Sequence, residues 1–366
     1  MDANLDAIVR SQSDHPKQTG LVVGVLQGGQ RSVYGYGTVG GAPPAGDTLF
    51  EIGSVTKVFT TALLSILAAE KFVNFDDPLA GLASELENFP RDITLLRLAT
   101  HTSGLPKMPA NLFGSMLRDP KNPYAAYSSR QLLEYLSRHP PEAQPLEAQP
   151  VVYSNLGMGL LGTLLARQLG GSYEGAINSK ICQPLGMQDT CIQLTEDHKR
   201  RLAEPHNARG KRSRNWDLPA FAGAGALKST ADDLLTFLSA HLGEAPEALA
   251  AALQDCHAIW TRNFAPPGRL QRLIAQTSGK DVLAEHSREG MALCWTVSRL
   301  PAGEVQVHWH HGATGGYRAF AGFVQESAVG VVVLTNSGLS MRDGFLGSTA
   351  TDRLGFKILE QLTSAD

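Results

Sequence analysis

The sequence contains a single Ser-x-x-Lys, formed by Ser54 and Lys57. Residues three apart on a helix share a face, so the lysine amine can reach the serine hydroxyl. A serine becomes an effective nucleophile when a neighbouring base removes its proton, and a desolvated lysine can act as that base. The motif opens a long helical pattern, where free backbone N–H groups favour a developing oxyanion. It therefore indicates acyl transfer through a serine, although the same four residues also occur in ordinary helix turns.

A second chemical group is Tyr153-Ser154-Asn155, the only Tyr-x-Asn of the chain, which opens an apolar helical stretch. A buried tyrosine beside a lysine could exist partly as phenolate, or it could relay a proton to a leaving group. The amide of Asn155 could orient a substrate carbonyl or the lysine. Taken by itself, the same group also fits a turn with an aromatic anchor.

A third group, His310-His311-Gly312-Ala313, lies at the end of a predicted strand. Its small residues would allow a substrate to lie close against the strand backbone. The backbone N–H of Ala313 could then pair with that of Ser54 to bind the oxyanion of an acyl-transfer intermediate. The three groups together predict a serine nucleophile, its base and an oxyanion site.

The elements that must position these groups follow from the hydrophobic pattern. Strands, a long helix, a mainly helical middle part, further strands and a final helix succeed one another along the chain. The strands are predicted at 21–26, 32–37, 48–52, 292–300, 305–311, 317–324 and 329–334, and the helices at 55–72, over much of 80–285 and at 349–362.

Strands at both ends with helices between them predict an α+β fold, in which the two termini build one antiparallel sheet. We expect residues 1–80 and 286–366 to form the sheet domain and residues 81–285 a mainly helical domain, with the active site at their junction. A mobile loop is predicted at Pro266-Pro267-Gly268 and a turn at Pro301-Ala302-Gly303.

Composition limits the class of partner. The 366 residues carry a formal net charge of −3, which gives no indication of a nucleic-acid partner or an anionic membrane surface. The four cysteines form no CxxC pair and are expected to be core thiols rather than zinc ligands or disulfides. The first residues show no basic-then-apolar leader, so the chain as written is expected in the cytoplasm, or in the periplasm or outside the cell if a leader was removed.

In this order, the three groups resemble the serine β-lactamases and penicillin-binding proteins of the class C branch. That family also contains D-alanyl-D-alanine carboxypeptidases, D-aminopeptidases and family VIII carboxylesterases. Its pattern is Ser-x-x-Lys, then Tyr-x-Asn, then Lys/His-Thr-Gly or a variant of it. Other stretches of this chain are similar too, so that the resemblance runs from about residue 19 to residue 362; they are residues 93–106, 184–187, 225–234 and 331–336.

The resemblance implies a β-lactamase-like α/β sandwich joined to a helical region. It also implies that Ser54 attacks an acyl carbonyl, that Lys57 and Tyr153 share the acid and base roles, and that water hydrolyses the acyl-enzyme. Asn155 would hold the substrate, and the N–H groups of Ser54 and Ala313 would bind the oxyanion. No metal or organic cofactor is implied.

The chain departs from the family pattern where class C enzymes carry Lys-Thr-Gly. His310-His311-Gly312 stands there, and a histidine is mostly neutral at pH 7, so a fixed cation for a substrate carboxylate is lost. Arg318 and Asn336 are predicted to replace part of that contact, because a guanidinium grips a carboxylate with two donors. Arg318 could equally be a solvated strand residue.

Three other interpretations compete with this one. His308 and His310 would face the same side of a strand and could bind a metal, but no HExxH or cysteine pair completes such a site. An α/β-hydrolase would need Gly-x-Ser-x-Gly, which the sequence lacks. A penicillin-binding or sensor module without turnover remains the alternative outside the enzymes. We therefore expect a serine hydrolase acting on a small ester, amide or β-lactam, with a carboxylesterase of short acyl esters as the second possibility.

Overall fold

The structure is a computed structural model that describes residues 6–10, 20–142, 144–145, 148–264, 288–300, 305–339 and 349–364. The predicted features at Pro266-Pro267-Gly268 and Pro301-Ala302-Gly303 lie outside these residues. The strands are β1 (Gly20–Gln27), β2 (Gln30–Gly37), β3 (Phe50–Glu51), β4 (Lys228–Ser229), β5 (Arg288–Met291), β6 (Thr296–Arg299), β7 (Gln306–Ala313), β8 (Arg318–Val324) and β9 (Val329–Thr335).

Most of the helices lie between β3 and β5, as the sequence pattern predicts. A helical segment at 6–10 comes before β1. The other helices are α1 (Thr56–Ala69), α2 (Leu95–Ala99), α3 (Phe113–Arg118), α4 (Ser129–Arg138), α5 (Asn155–Gln168), α6 (Tyr173–Ile177), α7 (Gln183–Leu185), α8 (Glu196–Arg201), α9 (Ala222–Gly225), α10 (Ala231–Ser239), α11 (Glu247–Asp255) and α12 (Ala350–Thr363).

Strands from both ends of the chain form one seven-stranded antiparallel sheet with the order β2-β1-β9-β8-β7-β6-β5. The contact between the two ends is the pairing of β1 with β9, in which Leu21 faces Thr335 and Gln27 faces Val329. This arrangement confirms the predicted α+β fold with a sheet built from both termini. The domain boundaries at 80/81 and 285/286 stay a prediction.

Alternation along β1 shows how the sheet acquires two buried faces. Val22 and Leu26 belong to the larger apolar core, whereas Leu21, Val23 and Val25 belong to a second core. Successive side chains of a strand point to opposite faces, so a strand that is apolar at every position must be covered on both sides. Helix α10 covers one face and α12 the other.

Helix α1 is the central helix of the larger core, and nearly all of its side chains are buried. A helix that is apolar on every side is stable only when other elements surround it. Helices α5, α9 and α11 pack around α1. Because α1 is held on all sides, the 3-10 turn Gly53–Val55 that leads into it has a fixed position.

Two strand predictions need correction. Residues 292–300 were predicted as one strand, but β5 ends at Met291 and β6 begins at Thr296. Cys294, with a φ of 58°, lies in the tight turn between them, a backbone conformation that an extended strand cannot contain. The strand predicted at 48–52 is reduced to the two residues of β3, which pair with β4 from the helical part.

The four cysteines are free; Cys182, Cys256 and Cys294 are buried, and Cys191 is half-buried. Within the described ranges, no group of three or more His, Cys, Asp or Glu side chains is arranged to hold a metal ion. In the same ranges, no helix is both long and apolar enough to cross a bilayer.

Candidate active site

The end of strand β7 lies directly against the turn that carries Ser54. Gly53 has a φ of 49°, and a Cβ at this position would lie 2.7 Å from the Ala313 nitrogen. A Cβ on Gly312 would overlap the carbonyl oxygen of Ile52 and lie 2.9 Å from the Ser54 nitrogen. Two glycines therefore allow a close backbone approach that side chains would prevent. The structure thus brings the first and third chemical groups together, with the backbone nitrogens of Ser54 and Ala313 at the same junction.

Lys57 lies one helical turn beyond Ser54 and is completely buried. Its Nζ donates to Ser54 Oγ at 2.9 Å and to the carbonyl oxygen of Ala224 at 2.6 Å. Burial lowers the pKa of Lys57 from 10.5 to about 7, and the positive charge of Lys107 also lowers it. Desolvation disfavours the ammonium form, so a substantial fraction of Lys57 is a neutral amine at neutral pH.

Tyr153 comes from the loop before α5 and meets the same hydroxyl. Its phenolic OH donates to Ser54 Oγ at 2.6 Å, and Lys57 Nζ lies 4.7 Å from the centre of its ring. Burial raises the pKa of Tyr153 above its ordinary value of 10, and the hydrogen bond to Ser54 offsets part of that effect. The sequence left two states of Tyr153 open, a phenolate and a phenol that relays a proton. This environment favours the protonated phenol.

Asn155, the first residue of α5, lines the cavity beside Ser54. Its Nδ2 lies 3.5 Å from the sulfur of Met108, a weak acceptor. The amide therefore has hydrogen-bonding capacity left for a substrate. This position is consistent with the predicted contact to a substrate carbonyl, which stays a prediction.

His310 and His311 occupy different environments although they are neighbours on β7. His310 is buried, its ring centre lies 6.3 Å from that of Tyr153, and its Nδ1 donates to the carbonyl oxygen of His311 at 2.6 Å. Burial, with the charge of Lys57 as a second cause, lowers the pKa of His310 well below 6.5. The side chain of His311 is 31% exposed, and its Nδ1 lies 3.2 Å from Asp352 Oδ2. A neutral His310 provides no fixed cation.

The structure does not place Arg318 and Asn336 in the cavity. Arg318 Nε donates to the carbonyl oxygen of Ser337 at 2.8 Å. Asn336 Oδ1 accepts the N–H of Gly20 at 2.9 Å, and its Nδ2 donates to the carbonyl oxygen of Glu204 at 2.8 Å. Both side chains hold backbone at the ends of strands β1, β8 and β9. Their predicted role in substrate binding has no geometric support here.

The ring of His101 packs against the ring of Tyr153. The two ring centres are 4.7 Å apart, and His101 Nδ1 accepts the N–H of Ser154 at 3.2 Å. Its Nε2 lies 3.6 Å from the buried thiol of Cys294. Burial lowers the pKa of His101 to about 3, so the ring is neutral. These contacts are structural, since they hold the backbone at Ser154 and the ring of Tyr153 in place.

The junction opens into a cavity with two lobes, whose linings share Ser54, Tyr124, Asn155, Trp216 and Ala313. The small lobe has a volume of about 40 Å³ and apolar walls that include Met108, Leu218 and Phe221. The large lobe has a volume of about 450 Å³. Its other lining residues are His101, Lys107, Val151, Tyr153, Phe264, Arg288, Met291, Thr296, Trp309, His310, His311, Leu339 and Thr349.

Sequence reasoning missed three participants in this site. The carbonyl of Ala224 accepts from Lys57, and Lys107 and Arg288 line the large lobe. A backbone carbonyl has no sequence signature. Lys107 directly follows the Leu-Pro of a stretch that carries the family resemblance, which could have drawn attention to it, whereas nothing in the sequence around Arg288 indicates a cavity.

The chain is similar to known proteins over most of its length. A family model described as Beta-lactamase matches residues 5–354. A beta-lactamase of Providencia stuartii is 26% identical over 91% of this chain and 86% of its own length. The D-alanyl-D-alanine-carboxypeptidase/endopeptidase AmpH of Escherichia coli (strain K12) is 29% identical over 93% of this chain and 86% of its own length.

Solved structures show the same fold. A class C beta lactamase from Rhodobacter sphaeroides aligns with a TM-score of 0.73 and 24% identity over 98% of both chains. A beta-lactamase/D-alanine carboxypeptidase from Pseudomonas syringae aligns with a TM-score of 0.74 and 21% identity over 99% of both chains. The sheet with both termini and its helical region are therefore common to all three chains.

Proposed function

The chain belongs to the beta-lactamase family of serine hydrolases, whose members include β-lactamases and DD-carboxypeptidases, and we propose that it cleaves an amide or ester bond through an acyl-enzyme on Ser54. One observation carries the proposal. Ser54 Oγ lies 2.9 Å from Lys57 Nζ and 2.6 Å from the hydroxyl of Tyr153, in a cavity open to a small molecule. A base and a proton donor are thus each within hydrogen-bonding reach of the nucleophile.

Acylation begins with the neutral form of Lys57. Its amine takes the Ser54 proton as Oγ bonds to the carbonyl carbon, and the hydrogen bond to Ala224 holds the amine in place. The negative charge moves to the carbonyl oxygen, where the N–H groups of Ser54 and Ala313 would stabilise it. Each donor of this kind typically lowers the activation free energy of acylation by about 2.7–4 kcal/mol.

Tyr153 completes the proton path. Its phenol gives a proton to the leaving nitrogen or oxygen as the bond to the acyl carbon breaks, and the proton held by Lys57 replaces it. The raised pKa of Tyr153 suits this role, because the phenol is protonated before each turnover. Water then attacks the acyl-enzyme with the same groups in reverse order, releasing the acid and restoring Ser54.

A specific observation favours short acyl esters as a second candidate substrate class. The small lobe beside Ser54 has a volume of about 40 Å³, compared with about 450 Å³ for the large lobe. Neutral His310 also removes the fixed cation that the family pattern offers to a lactam carboxylate. A carboxylesterase of short acyl groups uses the same Ser54 chemistry and fits this smaller space.

The Ser54→Ala variant tests the nucleophile directly. We expect it to keep its fold and to lose turnover of nitrocefin, 4-nitrophenyl acetate and 4-nitrophenyl butyrate. Ser137→Ala is the matched control, since the Ser137 hydroxyl bonds only locally on the exposed side of α4. Turnover by Ser54→Ala at the rate of the control would refute the assignment.

Substrate class is resolved by comparing kcat/KM for nitrocefin, a D-Ala-D-Ala peptide and short 4-nitrophenyl esters. A fast lactam with inert esters would exclude the carboxylesterase. A stable penicillin adduct of Ser54 in the mass spectrum, with no turnover of any substrate, would instead indicate a penicillin-binding or sensor module.

A further inference from the structure

The two lobes receive different halves of the substrate if the proposed function holds, on which this inference rests. Tyr153 lines the large lobe and is absent from the lining of the small one. A proton donor must face the atom that leaves. The leaving group therefore lies in the large lobe, and the acyl group of the same substrate points into the small lobe beside Met108 and Phe221.

The large lobe is lined by two cations. Lys107 and Arg288 both contribute to its wall, and no aspartate or glutamate is among its described lining residues. Lys107 stands near the nucleophile, since its charge acts on Lys57. Within the part of the chain that the structure describes, neither Lys107 nor Arg288 has a side-chain hydrogen bond or an ion-pair partner within 4 Å.

Arg288 is exposed and lines the large lobe. The carbon of its guanidinium lies 6.0 Å from the centre of the Phe264 ring. The one carboxylate that favours its charge is Asp352, which is 2% exposed and does not line the lobe. Asp352 Oδ2 already accepts the N–H of Thr349 at 2.7 Å and lies beside His311. Arg288 is thus a solvent-accessible cation on the wall of the lobe, with no ion-pair or hydrogen-bond partner for its side chain among the described residues.

An unpaired cation on the wall of a cavity favours an anionic ligand, because a charge-assisted hydrogen bond to that ligand is stronger than one between neutral groups. A guanidinium offers a planar fork of donors, which fits the two oxygens of a carboxylate. The aromatic rings of Tyr153, Phe264 and Trp309 line the same lobe and suit a flat or apolar spacer between the reacting bond and the charge.

We propose that Arg288, assisted by Lys107, binds a carboxylate on the leaving group, so that the preferred substrate releases an alcohol or amine that carries a negative charge. Arg288 thereby takes over a contact that the sequence assigned to Arg318 and Asn336. It determines specificity through the part of the substrate that departs, and it takes no part in the proton transfers at Ser54.

The test compares 4-acetoxybenzoate with its methyl ester, which share the acetyl group and the ring and differ in one distal charge. The readout is the ratio of kcat/KM for the acid to that for the methyl ester in the purified full chain. Losing a charge-assisted hydrogen-bonded partner should lower this ratio about 10- to 100-fold in Arg288→Met. Lys107→Met should lower it by a smaller factor. Arg130→Met, an exposed arginine of α4 outside the cavity lining, should leave the ratio as in the wild type.

A ratio that is the same in the wild type, Arg288→Met and Lys107→Met would overturn the proposal while leaving Ser54 catalysis intact. Failure of the proposed function itself looks different, because Ser54→Ala would then still hydrolyse both esters. A measurement on the unmodified protein guards against a variant that does not fold. The product 4-hydroxybenzoate should inhibit at least about tenfold more strongly than methyl 4-hydroxybenzoate, and equal inhibition would also overturn the proposal.

Discussion

Replacing Lys57 with methionine should inactivate the protein and stabilise its fold at neutral pH. The lysine is fully buried, and its pKa falls from 10.5 in an open chain to about 7 in the fold. Between these two values the unfolded chain binds a proton that the folded chain does not. A group with a lowered pKa therefore weakens the fold increasingly as the pH falls from 10.5 towards 7.

The size of the effect follows from the two pKa values. They make the wild-type fold weaker by roughly 4 kcal/mol at pH 7.5 and by about 1.5 kcal/mol at pH 9.5 than it would be with an uncharged group at this position. Methionine fills nearly the same space but leaves the Ala224 carbonyl unpaired, which costs about 1–3 kcal/mol at either pH. The net gain at pH 7.5 should then be about 1–3 kcal/mol.

Chemical denaturation of the wild type and Lys57→Met at both pH values provides the assay. The quantity compared is the free energy of unfolding of Lys57→Met minus that of the wild type, at each pH. The cost of the unpaired Ala224 carbonyl is the same at both pH values and cancels. The stability advantage of the variant should therefore shrink by about 2.5 kcal/mol between pH 7.5 and 9.5. Lys199→Met, which removes an exposed lysine on α8, provides the reference for the pH effect. An advantage that stays constant with pH, or undiminished turnover by Lys57→Met, would refute the reasoning.

Two further predictions concern pH. The kcat/KM for 4-nitrophenyl acetate should rise about tenfold per unit below pH 7 and level off above it, because Lys57 must be neutral to take the serine proton; a rise centred above pH 10 would instead point to the phenolate of Tyr153. The second concerns the adjacent His241, His257 and His308, where His241 Nδ1 lies 2.9 Å from His257 Nε2. Burial lowers the pKa of all three, that of His257 to about 3, so the free energy of unfolding should fall as the pH drops below 6.5, by up to about 1.4 kcal/mol per unit for each ring. His257→Gln should remove about one ring's share of that slope between pH 6.5 and 5, and an unchanged slope would contradict it.

The sequence alone determined most of the elements and the residue types of the site, although the strands predicted at 48–52 and 292–300 needed correction. Residues 21–26 of β1 carry no polar side chain, so the strand needs cover on both faces, and the structure provides it. Local periodicity predicts the helix after Ser54. The spacing of three residues then places Lys57 on the same face of that helix as Ser54. These properties depend on neighbours in the chain, so they can be read without knowledge of the fold.

Only the tertiary structure decided which groups meet and in what state. Tyr153 reaches Ser54 across 99 residues, and burial by distant helices gives Lys57 its lowered pKa. The sequence suggested Arg318 as the substrate's cation because of its residue type. The fold directs Arg318 to the backbone and places Arg288 in the cavity instead. A side chain's direction and hydration are set by whatever packs around it, and those contacts come from parts of the chain far away in sequence.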